Sequence, residues 1–135
     1  MNASLPPPAG QRSQLQGLAL CDWPLPAGQE ARATLLIVHG LGEHMGRYAA
    51  LAQALNAWGY AVRTYDQYGH GASQGPRGGL PTATKLLDDL ALVVDHTRAT
   101  VAAAHPLLLL GHSMGGLVTA RFVALQRRPV DALVL

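Results

Sequence analysis

Charge, cysteine and long apolar runs are all scarce in this sequence. Charged residues make up 13% of the chain, roughly half the share usual for a soluble domain. A domain of 135 residues has much surface per unit volume and should need more charge, not less. The composition is that of the inside of something larger. Cys21 is the only cysteine, so no internal disulfide can form, nothing points to an oxidising compartment, and the cytoplasm is the default location. Ten Lys and Arg against eight Asp and Glu leave a net charge of +2. The arginines are scattered rather than striped, which argues against nucleic acid as a partner. Their nearest approach to a cluster, Arg121, Arg127 and Arg128, falls late in an expected helix, where cations suit the negative end of the dipole. No segment reaches the ~20 apolar residues that cross a bilayer; residues 86–104 are interrupted by Asp88, Asp89, Asp95 and Arg98. Residues 1–13, with Pro6, Pro7 and Pro8 together, carry no signal-peptide pattern and read as a disordered lead-in to a single domain over 14–135.

What is present is a regular alternation of strand and helix. Residues 15–20 alternate weakly and run into Trp23, Pro24 and Pro26, the pattern of an edge strand with a proline-rich exit. Residues 34–38 form a short continuous apolar run, as in a parallel strand buried on both faces, and residues 60–65 and 107–110 read as the second and third buried strands. Residues 132–135 begin a fourth. Tyr48, Leu51, Ala52 and Leu55 recur at helical spacing before Gly59. A second helical face extends over 82–105 to Pro106, and a third over 113–127. Between the second buried strand and the second helix, residues 66–80 hold five glycines and Pro76, which predicts a long ordered loop. Together these elements predict an α/β fold around a mostly parallel sheet with flanking helices.

The strongest chemical signal is Gly111-His112-Ser113-Met114-Gly115-Gly116, set between a strand and a helix. This is a G-x-S-x-G nucleophile elbow in the context it requires. The turn is so sharp that side chains two positions before and after the serine would collide, and Gly111 and Gly115 remove them. Ser113 then stands above the sheet at a helix N-terminus, where free amides and the positive dipole favour an anion. A second signal, His39-Gly40-Leu41-Gly42, follows the first buried strand. In hydrolases with this elbow the corresponding loop gives one backbone N–H to the oxyanion, so Leu41 and Met114 are the expected donors. A dinucleotide fingerprint competes for the same glycines, with Asp66 at the next strand end, but its third glycine should be at position 45, which is Met45.

With His39 to Tyr48, Asp66 to Ser73, Gly75-Pro76-Arg77-Gly78 and Gly111 to Gly116 in this order, the chain resembles the monoglyceride lipase and lysophospholipase group of α/β-hydrolases, also labelled the serine aminopeptidase S33 type. Met45 and Gln67 depart from the usual pattern. The resemblance implies a serine ester hydrolase acting on lipid-like or small carboxylic esters through an acyl-enzyme on Ser113. His39, Gly40, Gly42, Gly111, His112 and Gly115 would support the substrate and oxyanion loops, with Glu43, His44 and Arg47 holding the first of them by polar contacts. Asp66, Gly69, His70, Gly71 and Ser73 would order the long loop; a plain turn role explains Asp66 and Ser73 equally well. A lid placed later in the chain would set acyl selectivity and carry any peripheral membrane contact.

No metal or organic cofactor is called for, because no histidine lies in an H-E-x-x-H helix and one cysteine makes no thiolate site. Asp88 and Asp89 are adjacent, point about 100° apart on a helix, and read as a solvated face. The missing piece is a base. In this fold the order is Ser, then Asp or Glu, then His, yet the 22 residues after Ser113 contain no histidine and only one acid, Asp131. The chain therefore reads as the N-terminal half of a hydrolase, nearly inactive by itself. Two rival readings stay open. One is a non-catalytic fragment whose apolar edge at Val134 and Leu135 pairs with another chain or aggregates. The other keeps the fold and changes the reaction to that of a thioesterase, peptidase or haloperoxidase.

Overall fold

The computed structural model describes residues 10–135. Its single sheet has six strands: β1 (Gln11–Leu15), β2 (Leu18–Trp23), β3 (Ala33–Val38), β4 (Tyr60–Tyr65), β5 (Leu107–Gly111) and β6 (Ala132–Val134). Their order is β1-β2-β4-β3-β5-β6. The first two are antiparallel, and β4, β3, β5 and β6 run parallel. Three helices connect the parallel strands: α1 (Ala49–Ala57), entered through a 3₁₀ turn at Met45–Tyr48, α2 (Lys85–Arg98) and α3 (Met114–Ala124).

The continuous apolar runs are explained by burial on both faces. Along β3, Leu36 and Val38 join the cluster under α2 and α3, where Leu90, Val94 and Phe122 sit. Leu35 and Ile37 point to the opposite face with Ala52 and Leu55 of α1. Alternate side chains leave a strand on opposite sides, so a strand covered twice must be apolar throughout.

Several boundaries differ from those expected. The weak alternation over 15–20 is two strands, not one. The chain reverses at Gln16 and Gly17, both at positive φ (46° and 84°), and β2 lies inside the sheet between β1 and β4. Of the expected lead-in, residues 1–9 lie outside the described residues, whereas Gln11, Arg12 and Ser13 pair with Asp22, Cys21 and Leu20. The second helix stops at Arg98, seven residues before His105. There the Thr100 hydroxyl takes the Thr97 carbonyl at 2.8 Å, and Arg98 donates to the His105 carbonyl at 3.0 Å. Both bonds hold a turn in place of further helix.

Charged groups also differ from expectation, pairing across elements. Arg127 and Arg128 lie beyond the end of α3 and pair with Asp88 and Asp95 of α2. Asp89 is not part of a solvated face: it is 5% exposed, with Lys85 Nζ at 3.0 Å, and burial raises its carboxyl pKa despite that partner. Arg63 crosses from β4 to β2, donating from Nε and Nη2 to the two Asp22 oxygens at 2.7 and 2.9 Å.

Candidate active site

Register brings the site together. Val38 of β3 pairs with Tyr65 of β4 on one side and Gly111 of β5 on the other, so three neighbouring strands end level. The loops that follow them, beginning at His39, Asp66 and His112, are side by side at the carboxyl edge of the sheet, where α/β folds place their ligands.

At β5 the chain turns into α3 within two residues. Ser113 has φ 56° and ψ −119°, a region costing on the order of 1–3 kcal/mol for a residue with a side chain. The turn is held by Gly115 N–H to the His112 carbonyl at 2.9 Å and Gly116 N–H to the Ser113 carbonyl at 2.8 Å. The glycines are needed, though for contacts wider than the turn itself. A Cβ on Gly111 would overlap the Thr119 hydroxyl and meet the Gly115 carbonyl, and one on Gly115 would overlap the carbonyl of Val38. Gly115 therefore lets α3 seat directly on the end of β3. Ser113 is exposed.

The loop after β3 lies against this elbow. A Cβ on Gly40 would be 3.1 Å from Ser113 Cβ, so the backbone leading into Leu41 passes beside the serine. Glu43 fastens the two loops. Its Oε2 accepts from Gly40 N–H and pairs with His112 Nδ1, both at 2.9 Å. Its Oε1 accepts from the Tyr48 hydroxyl at 3.1 Å, and Arg47 approaches to 3.8 Å. Burial alone would raise the Glu43 carboxyl pKa, but the bonds from His112, Tyr48 and Gly40 outweigh it and hold the group below the usual range. The Tyr48 hydroxyl, by contrast, is pushed up to about 12 by burial and by Glu43. Among the described residues the amides of Leu41 and Met114 donate to no other group, while the flanking amides of Gly40, Gly42 and Gly115 are all engaged.

The loop after β4 grips the same segment from the far side. Asp66 Oδ1 accepts from Met45 N–H at 2.7 Å and Oδ2 from Ala72 N–H at 2.8 Å, so Asp66 ties two loops rather than a turn of its own. Ser73 donates to the Asp66 carbonyl at 2.5 Å and accepts from Ala19 N–H at 2.8 Å. Gln67 donates its side-chain amide to the His39 carbonyl at 2.7 Å and its backbone N–H to His39 Nε2 at 2.9 Å. Met45 fills a core position under α1. The partners of Asp66 and Ser73 lie up to 54 residues away in sequence, and no local pattern announces them.

None of the six histidines stands free beside Ser113. His39 and His70 accept backbone N–H groups of neighbouring loops, His44 accepts from Gly46 N–H, and His112 pairs with Glu43. His96 lies on α2, and His105 bonds Thr34 at the opposite end of the sheet. Asp131 is at that opposite end too, accepting from Leu107 N–H at 2.8 Å. Among the described residues no group of three or more His, Cys, Asp or Glu could hold a metal ion.

The state of His39 has a consequence for stability. Burial lowers its pKa below the ordinary 6.5, with the nearby His70 adding to the effect and Asp66 and Glu43 opposing it. Below 6.5 the unfolded chain binds this proton before the folded one does, so stability is complete above about 6.5 and falls as pH drops from there. Urea midpoints measured from pH 8 to pH 5 should decline on the acid side; a flat profile would contradict a buried neutral ring.

The model of the family described as serine aminopeptidase, S33, matches residues 29–135. Monoglyceride lipase of Rattus norvegicus is 36% identical over 109 residues, covering 81% of this chain and 35% of that protein. Phospholipase YtpA of Bacillus subtilis is 36% identical over 97 residues, covering 72% of this chain and 36% of that protein. A soluble variant of monoglyceride lipase from Saccharomyces cerevisiae, solved with a substrate analog, superposes with a TM-score of 0.80 at 25% identity, covering 97% of this chain and 46% of that one. The chain thus spans about a third of the length of these two curated relatives.

Proposed function

We propose, on the premise that the chain belongs to the serine aminopeptidase S33 family and has the α/β-hydrolase fold, that the whole protein is a serine ester hydrolase of the monoacylglycerol lipase and lysophospholipase type. The observation that carries this reading is the strained Ser113 turn, φ 56° and ψ −119°, beside two backbone amides with no partner among the described residues. A conformation that costs energy and exposes a hydroxyl is kept where the chemistry uses it.

In this reading Ser113 Oγ attacks the ester carbonyl and its proton passes to a histidine base. The carbonyl oxygen becomes an oxyanion held by Leu41 N–H and Met114 N–H, with the positive end of α3 behind it. Collapse of the tetrahedral species breaks the bond to the alcohol, which leaves with the proton, and water then hydrolyses the acyl-serine by the same path in reverse. His39, Gly40, Gly42, Gly111, His112 and Gly115 shape this site without touching the reacting atoms. All six histidines of the chain are engaged or distant from Ser113, so none of them is placed as this base. The substrate is a lipid-like carboxylic ester, as the names of the relatives suggest. No described helix is long and apolar enough to cross a membrane.

A fluorophosphonate probe applied to the whole protein should label Ser113, found by peptide mapping, and pre-incubation with a monoacylglycerol should slow the labelling. Labelling at another residue, or none, would overturn the assignment.

A further inference from the structure

Two imidazoles hold the loop that carries Leu41. His39 Nε2 accepts Gln67 N–H at 2.9 Å, and its Nδ1 lies 2.7 Å from the Gly40 carbonyl. His70 Nε2 accepts Gly42 N–H at 3.1 Å, and its Nδ1 lies 3.0 Å from the Tyr68 carbonyl. In each ring one nitrogen must offer a lone pair to an N–H and the other must donate to a carbonyl. Only the neutral tautomer with its proton on Nδ1 satisfies both. The rings are neighbours, with centroids 5.0 Å apart.

The bonded groups are the two peptide units on either side of Leu41. The Gly40–Leu41 unit has its carbonyl held by His39; a trans peptide is planar with C=O and N–H opposed, so this fixes the direction of Leu41 N–H. The Leu41–Gly42 unit is held by its N–H on His70. Gly42 is at φ +74°, and Leu41 is 67% exposed, so its side chain gives the loop little packing of its own. Without His70, the Leu41–Gly42 plane is free to turn, and the loop that carries the Leu41 amide loses its tie to the loop after β4.

We infer that His70 is a positioning residue for the Ser113 reaction, a neutral imidazole reaching from the loop after β4 to hold the oxyanion-binding loop after β3. The inference rests on the hydrolase reading above. It gives a role to a histidine that is otherwise only part of a glycine-rich loop. The bond from Gly42 N–H needs a lone pair on His70 Nε2, which the Nδ1-protonated tautomer supplies. The charged and titratable groups around the pair are Asp66 and Glu43, which act on His39, and Arg77, which lines the same cleft as His70 and Glu43.

The test uses the whole protein and two readouts: kcat and KM for a short-chain p-nitrophenyl ester, and affinity for a trifluoromethyl ketone. The ketone adds to the nucleophilic serine as a hemiketal oxyanion and so reads the oxyanion site directly. Misplacement of a reacting group by about 1 Å can cost up to about 100-fold. His70→Leu should lower kcat by about 10- to 100-fold with KM within about twofold, and should weaken the ketone by the same factor. His70→Gln, whose Oε1 can accept Gly42 N–H, should restore kcat and ketone affinity to within about fivefold. Unchanged kcat in a folded His70→Leu protein, or a kcat loss with ketone affinity intact, overturns the inference. If the leucine variant does not fold, the glutamine variant decides: near-normal kcat and ketone affinity support the role, and low kcat in a folded protein refutes it. Failure of a fluorophosphonate to label Ser113 in the unmutated protein would instead remove the hydrolase reading beneath it.

Discussion

Replacing Ser113 with alanine will lower kcat for ester hydrolysis by the whole protein by about 10⁶-fold, leaving roughly 10³-fold over water from the oxyanion site and binding. The size of the effect follows from the arrangement. Ser113 is exposed at the turn between β5 and α3, and the other polar side chains named around it are committed to holding backbone or one another. Glu43 carries Gly40 and His112, Asp66 carries Met45 and Ala72, and His39 and His70 carry Gln67 and Gly42. Nothing present can take over the nucleophile's part. Stability should not fall, because alanine keeps the Cβ and Ser113 is exposed. Activity and urea midpoint measured together will show this; a variant with more than about one thousandth of the normal rate would place the nucleophile elsewhere.

Gly115→Ala will have the largest effect on folding. The added methyl falls onto the carbonyl of Val38 and close to that of His39, and these atoms cannot retreat easily. Val38 is the last residue of the central strand, paired on both sides with Tyr65 and Gly111. The helix must therefore lift from the sheet. Forced overpacking of this kind costs about 1–3 kcal/mol and sometimes more, and here backbone rather than a flexible side chain resists, so the upper end is expected. Lifting α3 also displaces Met114 N–H and Ser113, and a shift of about 1 Å can remove about 100-fold in rate. The expected result is a lower urea midpoint with a loss of kcat exceeding the unfolded fraction. An unchanged midpoint would mean that α3 does not seat on β3 as described.

The family and the fold were legible because the relevant signals are local. β3 and β5 are strongly apolar since both faces are covered, and the elbow needs two glycines at fixed offsets around Ser113. Where a local signal is ambiguous, the structure departs from it. The alternation over 15–20 passes through a hairpin turn whose first residue, Gln16, sits at φ 46° without being glycine, so one strand was expected where two exist. The apolar spacing toward His105 continued past the point where Thr97, Thr100 and Arg98 end α2. Asp89 looked like an exposed helix acid because its neighbour Asp88 is one; only packing of α2 against the sheet puts one carboxylate in solvent and the next inside.

By itself the sequence determined the alternation of strand and helix and the strained serine turn, since each depends on residues within a few positions of one another. Tertiary structure alone decided what the remaining polar residues do. Glu43 meets His112 across 69 residues, His70 meets Gly42 across 28, and Asp66 meets Met45 across 21. Those meetings exist because β4, β3 and β5 end in register, which brings three loops from distant parts of the chain to one edge. There the need to pair every buried amide selects the partners.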